Sequence, residues 1–426
     1  MIRKLESYFD RLWPINRSIT GNGNRQTLKI LSEIIDLKVD EILSGTKCFD
    51  WVIPDEWNVK EAWIKNSSGK IIVDFKDNNL HLLGYSVPFH GFMPLSKLEK
   101  HLFSMPDQPD VIPYLTSYYD KNWGFCLPHN QLQSLAKGHY EVLIDAELNP
   151  KGSMSIGEAI LKGETDREIL FSTYICHPSL ANNELSGPLA TAFIYSMLKK
   201  QKKRRYTYRF VFLPESIGSI YYLSVYGDYF KEKLVAGYIV NCLGTSRKYT
   251  YKKSRRGNTL TDRAAELMLK ELEENYLIED FSPTGSDEKH YCSPGFNLPV
   301  GSLMTDKYAT YEEYHTSADN KSFISFEALE KSINRYLEII YILKNNYTYR
   351  NLMPYGEPQL GKRHLFPSIG SQKNKDGFFV ALKWVLNYSD GTNDLIQIAH
   401  RSGISYSLLV SAATQLLVSG LLEIVE

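Results

Sequence analysis

The chain has 426 residues, more than one ordinary domain holds, of which 43% are hydrophobic and 23% charged; this globular composition excludes general disorder. Lys plus Arg and Asp plus Glu balance at 49 each, which argues against bulk attraction to nucleic acid or to an anionic membrane. Five scattered cysteines with no CxxC pair argue against a disulfide framework and for reduced thiols in a cytoplasmic protein. The N-terminal segment lacks the apolar stretch of a leader peptide, and no apolar run approaches the roughly 20 residues that span a bilayer.

The first predicted element is a helix with Leu5, Tyr8, Phe9 and Leu12 on one face, ended by Pro14. A turn at Thr20-Gly-Asn-Gly precedes a second helix from Arg25 to Ile35. From about Lys38 to Asp145 short β-type runs alternate with Gly, Pro, Asn and Asp, the texture of a small inserted β-rich domain. Tyr140–Asp145 and Met154–Leu161 read as a hairpin joined through Asn149-Pro-Lys-Gly-Ser. The texture then becomes α/β. Apolar runs at Ile169–Cys176, Tyr208–Leu213, Gly237–Leu243 and Leu298–Met304 read as buried strands. Helical patterns lie between and after them at Pro188–Lys200, Ile220–Tyr229, Leu260–Glu274 and Phe326–Leu343. Such alternation predicts a mostly parallel sheet sandwiched by helices. Pro354 to about Lys375 reads as a linker, followed by helical patterns at Phe378–Asn387, Asn393–Ser402 and Ser405–Ser419 and a final strand at Leu421–Val425, the outline of a winged helix.

Ligands of parallel α/β sheets bind outside the carboxyl ends of the strands, so the residues after each strand are the candidates. His177 follows the first, with Asn182, Asn183 and Glu184 before a Ser186-Gly187 helix start. Nitrogen and carboxylate donors in one segment suit Zn²⁺, although a lone strand-end histidine is more often satisfied by a backbone partner. Glu215 follows the second strand, and a metal-bound water needs such a carboxylate to take its proton. The competing reading is a helix-start Glu at the positive end of a dipole. After the third strand, Arg255 and Arg256 belong to a basic cluster with Lys252 and Lys253 that could hold an anionic substrate group or form a solvated loop. Asp287, in Gly285-Ser-Asp-Glu-Lys-His, and His315, flanked by Tyr314, Thr316 and Asp319, complete the candidate set.

These segments resemble the zinc aminopeptidase superfamily that includes bacterial leucyl aminopeptidases and glutaminyl cyclases. More closely, LWPINRSITGNG, WVIPDEWNV, LHLLGYSVPFHG, YICHPSLANNELSGP, YKKSRRGNTL, GSDEKHYCSPGFNLPVGSL and YHTSADN resemble an uncharacterised bacterial aminopeptidase-like family. Members of that family carry an inserted β domain and a C-terminal winged helix, and some sit among polysaccharide-biosynthesis genes. The resemblance covers essentially the whole chain. It implies an aminopeptidase-like α/β catalytic domain at 1–37 and 146–350, the insert at 38–145, a linker at 351–375 and a winged-helix-like domain at 376–426. It implies a metal-dependent hydrolase cleaving a small peptide or amide. His177, Glu184 and His315 are then the ligands of one Zn²⁺, Glu215 and Asp287 the catalytic pair, and Arg255, Arg256 and Tyr314 the substrate contacts. The superfamily has acidic ligands where this chain has Asn183, next to Asn182, and Asn241. That speaks for one metal rather than two, and leaves Glu184 or Glu215 as the carboxylate ligand. It also raises the alternative of a degenerate fold that binds a small molecule or a protein.

Binding to DNA is not expected. From Asp376 onward the chain carries Asp376, Asp390, Asp394, Glu423 and Glu426 against Lys383 and Arg401, about three net negative charges, where a binder should be positive. The domain is expected either to pack on the catalytic body or to mediate self-association, giving a homo-oligomer, through Leu408, Leu409, Leu416 and Leu417 where its own core does not consume them.

Overall fold

A computed structural model describes residues 1–272, 274–365 and 377–425. They fall into two compact units, Met1–Thr261 with Asn275–Asn334, and Asp262–Glu274 with Arg335–Glu426.

The first unit is built on an eight-stranded sheet in the order Lys38–Leu43, Ser153–Leu161, Thr207–Leu213, Glu168–Tyr174, Leu234–Val240, Val300–Met304, Tyr249–Lys252, Tyr276–Glu279. Its four central strands are parallel, and antiparallel pairings lead from them to either side. Every residue of Glu168–Tyr174, Thr207–Leu213 and Leu234–Val240 is buried, as strands covered on both faces must be. The connection through helix Ser186–Lys199 leads one strand to one side. The connection through helix Ile217–Lys233 crosses back over Glu168–Tyr174 to the other side. Because such crossovers are right-handed, opposite directions put the two helices on opposite faces. The strand order therefore reverses at Glu168–Tyr174, and a crevice opens beyond Tyr174.

The insert centres on a four-stranded antiparallel sheet, Ile71–Asp74, Glu56–Lys65, His139–Asn149, Phe89–Pro94. Two expectations change here. Lys38–Leu43 lies at the edge of the main sheet rather than in the insert. The expected hairpin does not form: His139–Asn149 pairs within the insert, whereas Ser153–Leu161 pairs with Lys38–Leu43 and Thr207–Leu213. Alternation along each strand was legible, but its partner is decided by which sheet buries its apolar face. Tyr140, Val142 and Ile144 face the insert core, so the turn at Asn149–Gly152 carries the chain from one sheet to the other.

The second unit contains helices Phe378–Tyr388, Leu395–Ser402 and Tyr406–Val418. A three-stranded antiparallel sheet accompanies them, with Thr348–Asn351 between Asp390–Asp394 and Leu422–Ile424. Asp394 and Gln397 form a capping box on the second helix, and Gly403 ends it at φ 66°. Thr348–Asn351 thus joins the winged-helix sheet ahead of the expected linker. Residues 366–375 of that linker, and the expected domain start at Asp376, lie outside the described residues. Among the described residues no helix is long and apolar enough to cross a membrane.

Candidate metal and catalytic site

The site is assembled from loops at the carboxyl ends of the central strands. Its geometry begins at helix Ser186–Lys199, whose first turn packs against two strands. A Cβ on Gly187 would lie 2.4 Å from the Val240 carbonyl oxygen and 2.6 Å from Thr173 Oγ1, so only glycine permits this approach. The preceding turn, Ala181–Leu185, is π-helical, a form found often at functional sites. Asp319 fastens it by accepting the N–H groups of Asn182 at 2.6 Å and Asn183 at 2.9 Å. Burial raises the Asp319 carboxyl to about 6.

His177 is buried at the centre of the site. Its two ring nitrogens face different surroundings. Nδ1 lies 3.0 Å from Glu184 Oε2 and 3.4 Å from Cys176 Sγ. Nε2 lies 3.7 Å from Glu215 Oε2. The donor atoms of Cys176, His177 and Glu184 fall within 4.8 Å of one another, a cluster compatible with a metal ion. Behind them, Arg17 Nε donates to the His177 carbonyl at 3.0 Å and sits 3.5 Å from Glu184 Oε1, both side chains fully buried. Burial opposes a charge on His177 and its neighbours Cys176 and Glu184 favour one; the balance holds its pKa well above the usual range. Burial also pushes the Cys176 thiol up to about 11 and raises the Glu184 carboxyl, against the opposing pull of His177 and Arg17.

His315 comes in from a chain segment far along the sequence. The His177 and His315 ring centroids are 5.4 Å apart. His315 has φ 54°, its Nε2 is buried with no hydrogen-bond partner, and Tyr314 stacks on it at 3.9 Å. Burial, then the neighbouring His177, depresses its pKa to about 3, so its lone pair is free. Ser216 (φ 62°) and Cys242 (φ 51°) are also left-handed, and such backbone strain in non-glycine residues gathers at functional sites.

Glu215 Oε1 accepts from Ser286 Oγ at 2.7 Å, and the Glu215 N–H donates to Cys176 Sγ at 3.2 Å. Asp287 is buried; its Oδ1 accepts from Ser216 N at 2.8 Å and Ser219 Oγ at 2.9 Å, at the start of helix Ile217–Lys233. Burial and the nearby Glu215 raise its carboxyl to about 8. A buried Lys252 orders this loop by donating to Glu288 Oε1 at 2.8 Å and to the Thr284 carbonyl.

The structure brings His177, Glu184, Glu215, Asp287, Tyr314 and His315 into one neighbourhood, with Glu184 on the Nδ1 side of His177 and Glu215 on the Nε2 side. Arg255 and Arg256 are not part of it. They sit on an exposed turn after Tyr249–Lys252. That strand runs antiparallel to Val300–Met304 and carries the chain away from the carboxyl ends. Two contributors went unread in the sequence. Arg17 is one. Tyr114 is the other: its ring centroid is 5.1 Å from both His177 and His315, and its backbone N–H donates to the His315 carbonyl. The insert thereby supplies a wall of the site. The one available signal was that Arg17 lies inside the LWPINRSITGNG segment.

His177, His315 and Glu215 offer two imidazoles with a carboxylate beside them, groups of the type that suits Zn²⁺. The orphaned His315 Nε2 and the unpartnered side-chain atoms of Asn241 and Asp287 Oδ2 are buried polar atoms that lack protein partners.

Residues 7–346 match a family described as a domain of unknown function (DUF4910), and residues 347–424 match a winged helix-turn-helix family. A Clostridium acetobutylicum protein named for polysaccharide biosynthesis and an aminopeptidase-like domain is 45% identical over 99% of this chain and 96% of its own length. A crystal structure designated a peptidase from the same organism superposes with a TM-score of 0.94 at 44% identity, covering 100% of this chain and 96% of that one. The zinc aminopeptidase BSAP from Bacillus subtilis matches at TM-score 0.57 and 12% identity, covering 80% of this chain and 95% of that one. An M28 peptidase precursor from Shewanella amazonensis matches at TM-score 0.55 and 12% identity, covering 80% and 92%. The last two establish the fold. The chain belongs to the DUF4910 family, an aminopeptidase-like α/β fold that here carries a C-terminal winged helix-turn-helix.

Proposed function

We propose that the protein is a zinc-dependent hydrolase of the aminopeptidase type, acting on a small peptide or amide. The observation that carries this reading is the convergence of His177, His315 and Glu215 at the strand-order reversal, with Glu215 Oε2 3.7 Å from His177 Nε2. His177 through Nε2 and His315 through its unpartnered Nε2 would hold one zinc ion, with Glu215 beside them. When bound, the ion supplies Lewis-acid polarisation of the scissile carbonyl and acidifies a water. Glu215 takes the proton of that water and returns it to the leaving amine. Ser286 restrains one of its oxygens and leaves the other facing the site. Asp287 anchors Ser216 and Ser219 and so holds the Glu215 loop in place. Tyr114 and Tyr314 wall the histidine pair and shield it from water. The name of the C. acetobutylicum relative supports a peptidase-like reaction, and the fold neighbours support zinc.

The test is metal content of the full chain prepared without chelator. About one zinc per chain is expected, lost in both His177→Ala and His315→Ala. Full metal in both variants removes the reading. Activity is then sought with a panel of aminoacyl amides and short peptides.

A further inference from the structure

The two sides of the His177 ring are unequal. On the Nδ1 side a carboxyl group, a thiol and a guanidinium fill the space. Glu184 Oε2 is 3.0 Å from Nδ1, and Arg17 is 3.5 Å from the other carboxylate oxygen. Arg17 Nη1 is itself held by the Leu12 carbonyl at 2.7 Å, and Cys176 Sγ is engaged by the Glu215 N–H. On the other side, Glu215 Oε2 lies 3.7 Å from Nε2, and His315, whose Nε2 is buried without a hydrogen-bond partner, has its ring centroid 5.4 Å from that of His177. A histidine that donates from one ring nitrogen to a carboxylate has its tautomer and orientation fixed, and presents the lone pair of the other.

We infer that Glu184, backed by Arg17, is a positioning residue: it keeps the proton on His177 Nδ1 and aims Nε2 at the metal. This rests on the metal reading above and assigns Glu184 a role other than ligand. Arg17 makes it possible, because a buried carboxylate without a countercharge is strongly disfavoured. The N-terminal segment, which lies outside the strand-end loops, thereby takes part in the site. The pairing also explains why Cys176, His177 and Glu184 cluster as if around an ion: Cys176 and Glu184 form the layer behind His177.

The experiment uses the full chain, zinc-loaded and labelled with ¹⁵N-histidine. The His177 resonances are identified by their loss in His177→Asn. Long-range ¹H–¹⁵N correlation is expected to show a proton retained on Nδ1 and zinc on Nε2. Zinc on Nδ1 with the proton on Nε2 would overturn the inference and make Glu184 and Cys176 ligands. Zinc affinity by chelator competition is the second measurement. Glu184→Leu should weaken binding about 10–100-fold. Glu184→Gln keeps an acceptor oxygen for Nδ1–H and should recover part of that loss. Wild-type affinity in Glu184→Leu, or a loss in Glu184→Gln as complete as in His177→Ala, overturns the positioning role. Zinc retained by His177→Ala instead removes the metal reading itself, and this inference with it.

Discussion

Glu215→Gln removes one negative charge and a proton acceptor while keeping the side-chain shape and its Ser286 partner. Zinc content and thermal midpoint should match the parent, and hydrolysis of an identified substrate should fall by on the order of 10² or more. Turnover at the parental rate would make Glu215 a structural residue. Gly187→Ala probes packing instead of chemistry. Its Cβ would press on the Val240 carbonyl and Thr173 Oγ1 at 2.4 and 2.6 Å. Overpacking of this kind costs about 1–3 kcal/mol, seen as a lower denaturant midpoint at unchanged slope. At this scale His177 and Glu215 stand out in the sequence as polar residues at the ends of apolar runs, and His315 as the later histidine of a polar segment. Tyr114 and Arg17 do not, since each reaches the site through contacts with His315 and His177 roughly 160–200 residues distant in sequence.

Where the insert meets the main sheet, Glu56 at the start of Glu56–Lys65 is clamped by Arg25 and by the Ser153 N–H at 2.9 Å. The Arg25 pairing, opposed by burial, brings its carboxyl down from 4.5 to about 2. A depressed folded-state pKa contributes stability that is present above about pH 4.5 and lost as pH falls toward 2. Glu56→Gln should therefore lower the thermal midpoint at neutral pH, with the gap to the parent closing through that window. A constant gap from pH 7 to pH 2 would rule the mechanism out. Helix Tyr406–Val418 carries the second prediction. Counted over residues 347–424 the segment has seven Lys and Arg against five Asp and Glu, so the extended domain is mildly positive and the charge argument made from Asp376 onward weakens. The exposed face of this helix is Ser407, Ser411, Thr414, Gln415 and Val418, with no cation to hold phosphate or read guanine. Anisotropy with random duplex at low salt should give no micromolar binding by the full chain. Leu409 and Leu416, expected among the self-association residues, are consumed by the domain's own core.

At the scale of the whole molecule, the winged-helix segment shares a compact unit with two stretches of the DUF4910 region, Asp262–Glu274 and residues 335–346. Arg263 pairs with Asp394 at 2.6 Å, the Tyr406 N–H donates to Glu271, and the Tyr406 hydroxyl donates to the Ile342 carbonyl at 3.0 Å. Asn346 Oδ1 accepts from Ile396 N at 3.0 Å. A chain cut after Asn346 would leave Arg263, Glu271 and the surrounding apolar surface without partners, so it should unfold several degrees lower or aggregate. An equal thermal midpoint for residues 1–346 and the full chain would show the C-terminal segment to be energetically separate.

The sequence by itself determined what local pattern and residue chemistry determine. Continuous apolar runs marked the central strands, 3- and 4-residue spacings marked the helices, and polar residues after those runs singled out His177 and Glu215 as candidates. Only the tertiary structure decided pairing and direction. The partner of His139–Asn149 depends on which of two sheets buries Tyr140, Val142 and Ile144. The place of Thr348–Asn351 in the winged-helix sheet depends on strands some 40 to 75 residues later, at Asp390–Asp394 and Leu422–Ile424. Whether Glu184 meets Nδ1 or Nε2 of His177 is a matter of a few ångströms around one ring. Composition and spacing carry no information at that distance, because the outcome depends on how a π-helical turn, Asp319 and Arg17 pack together.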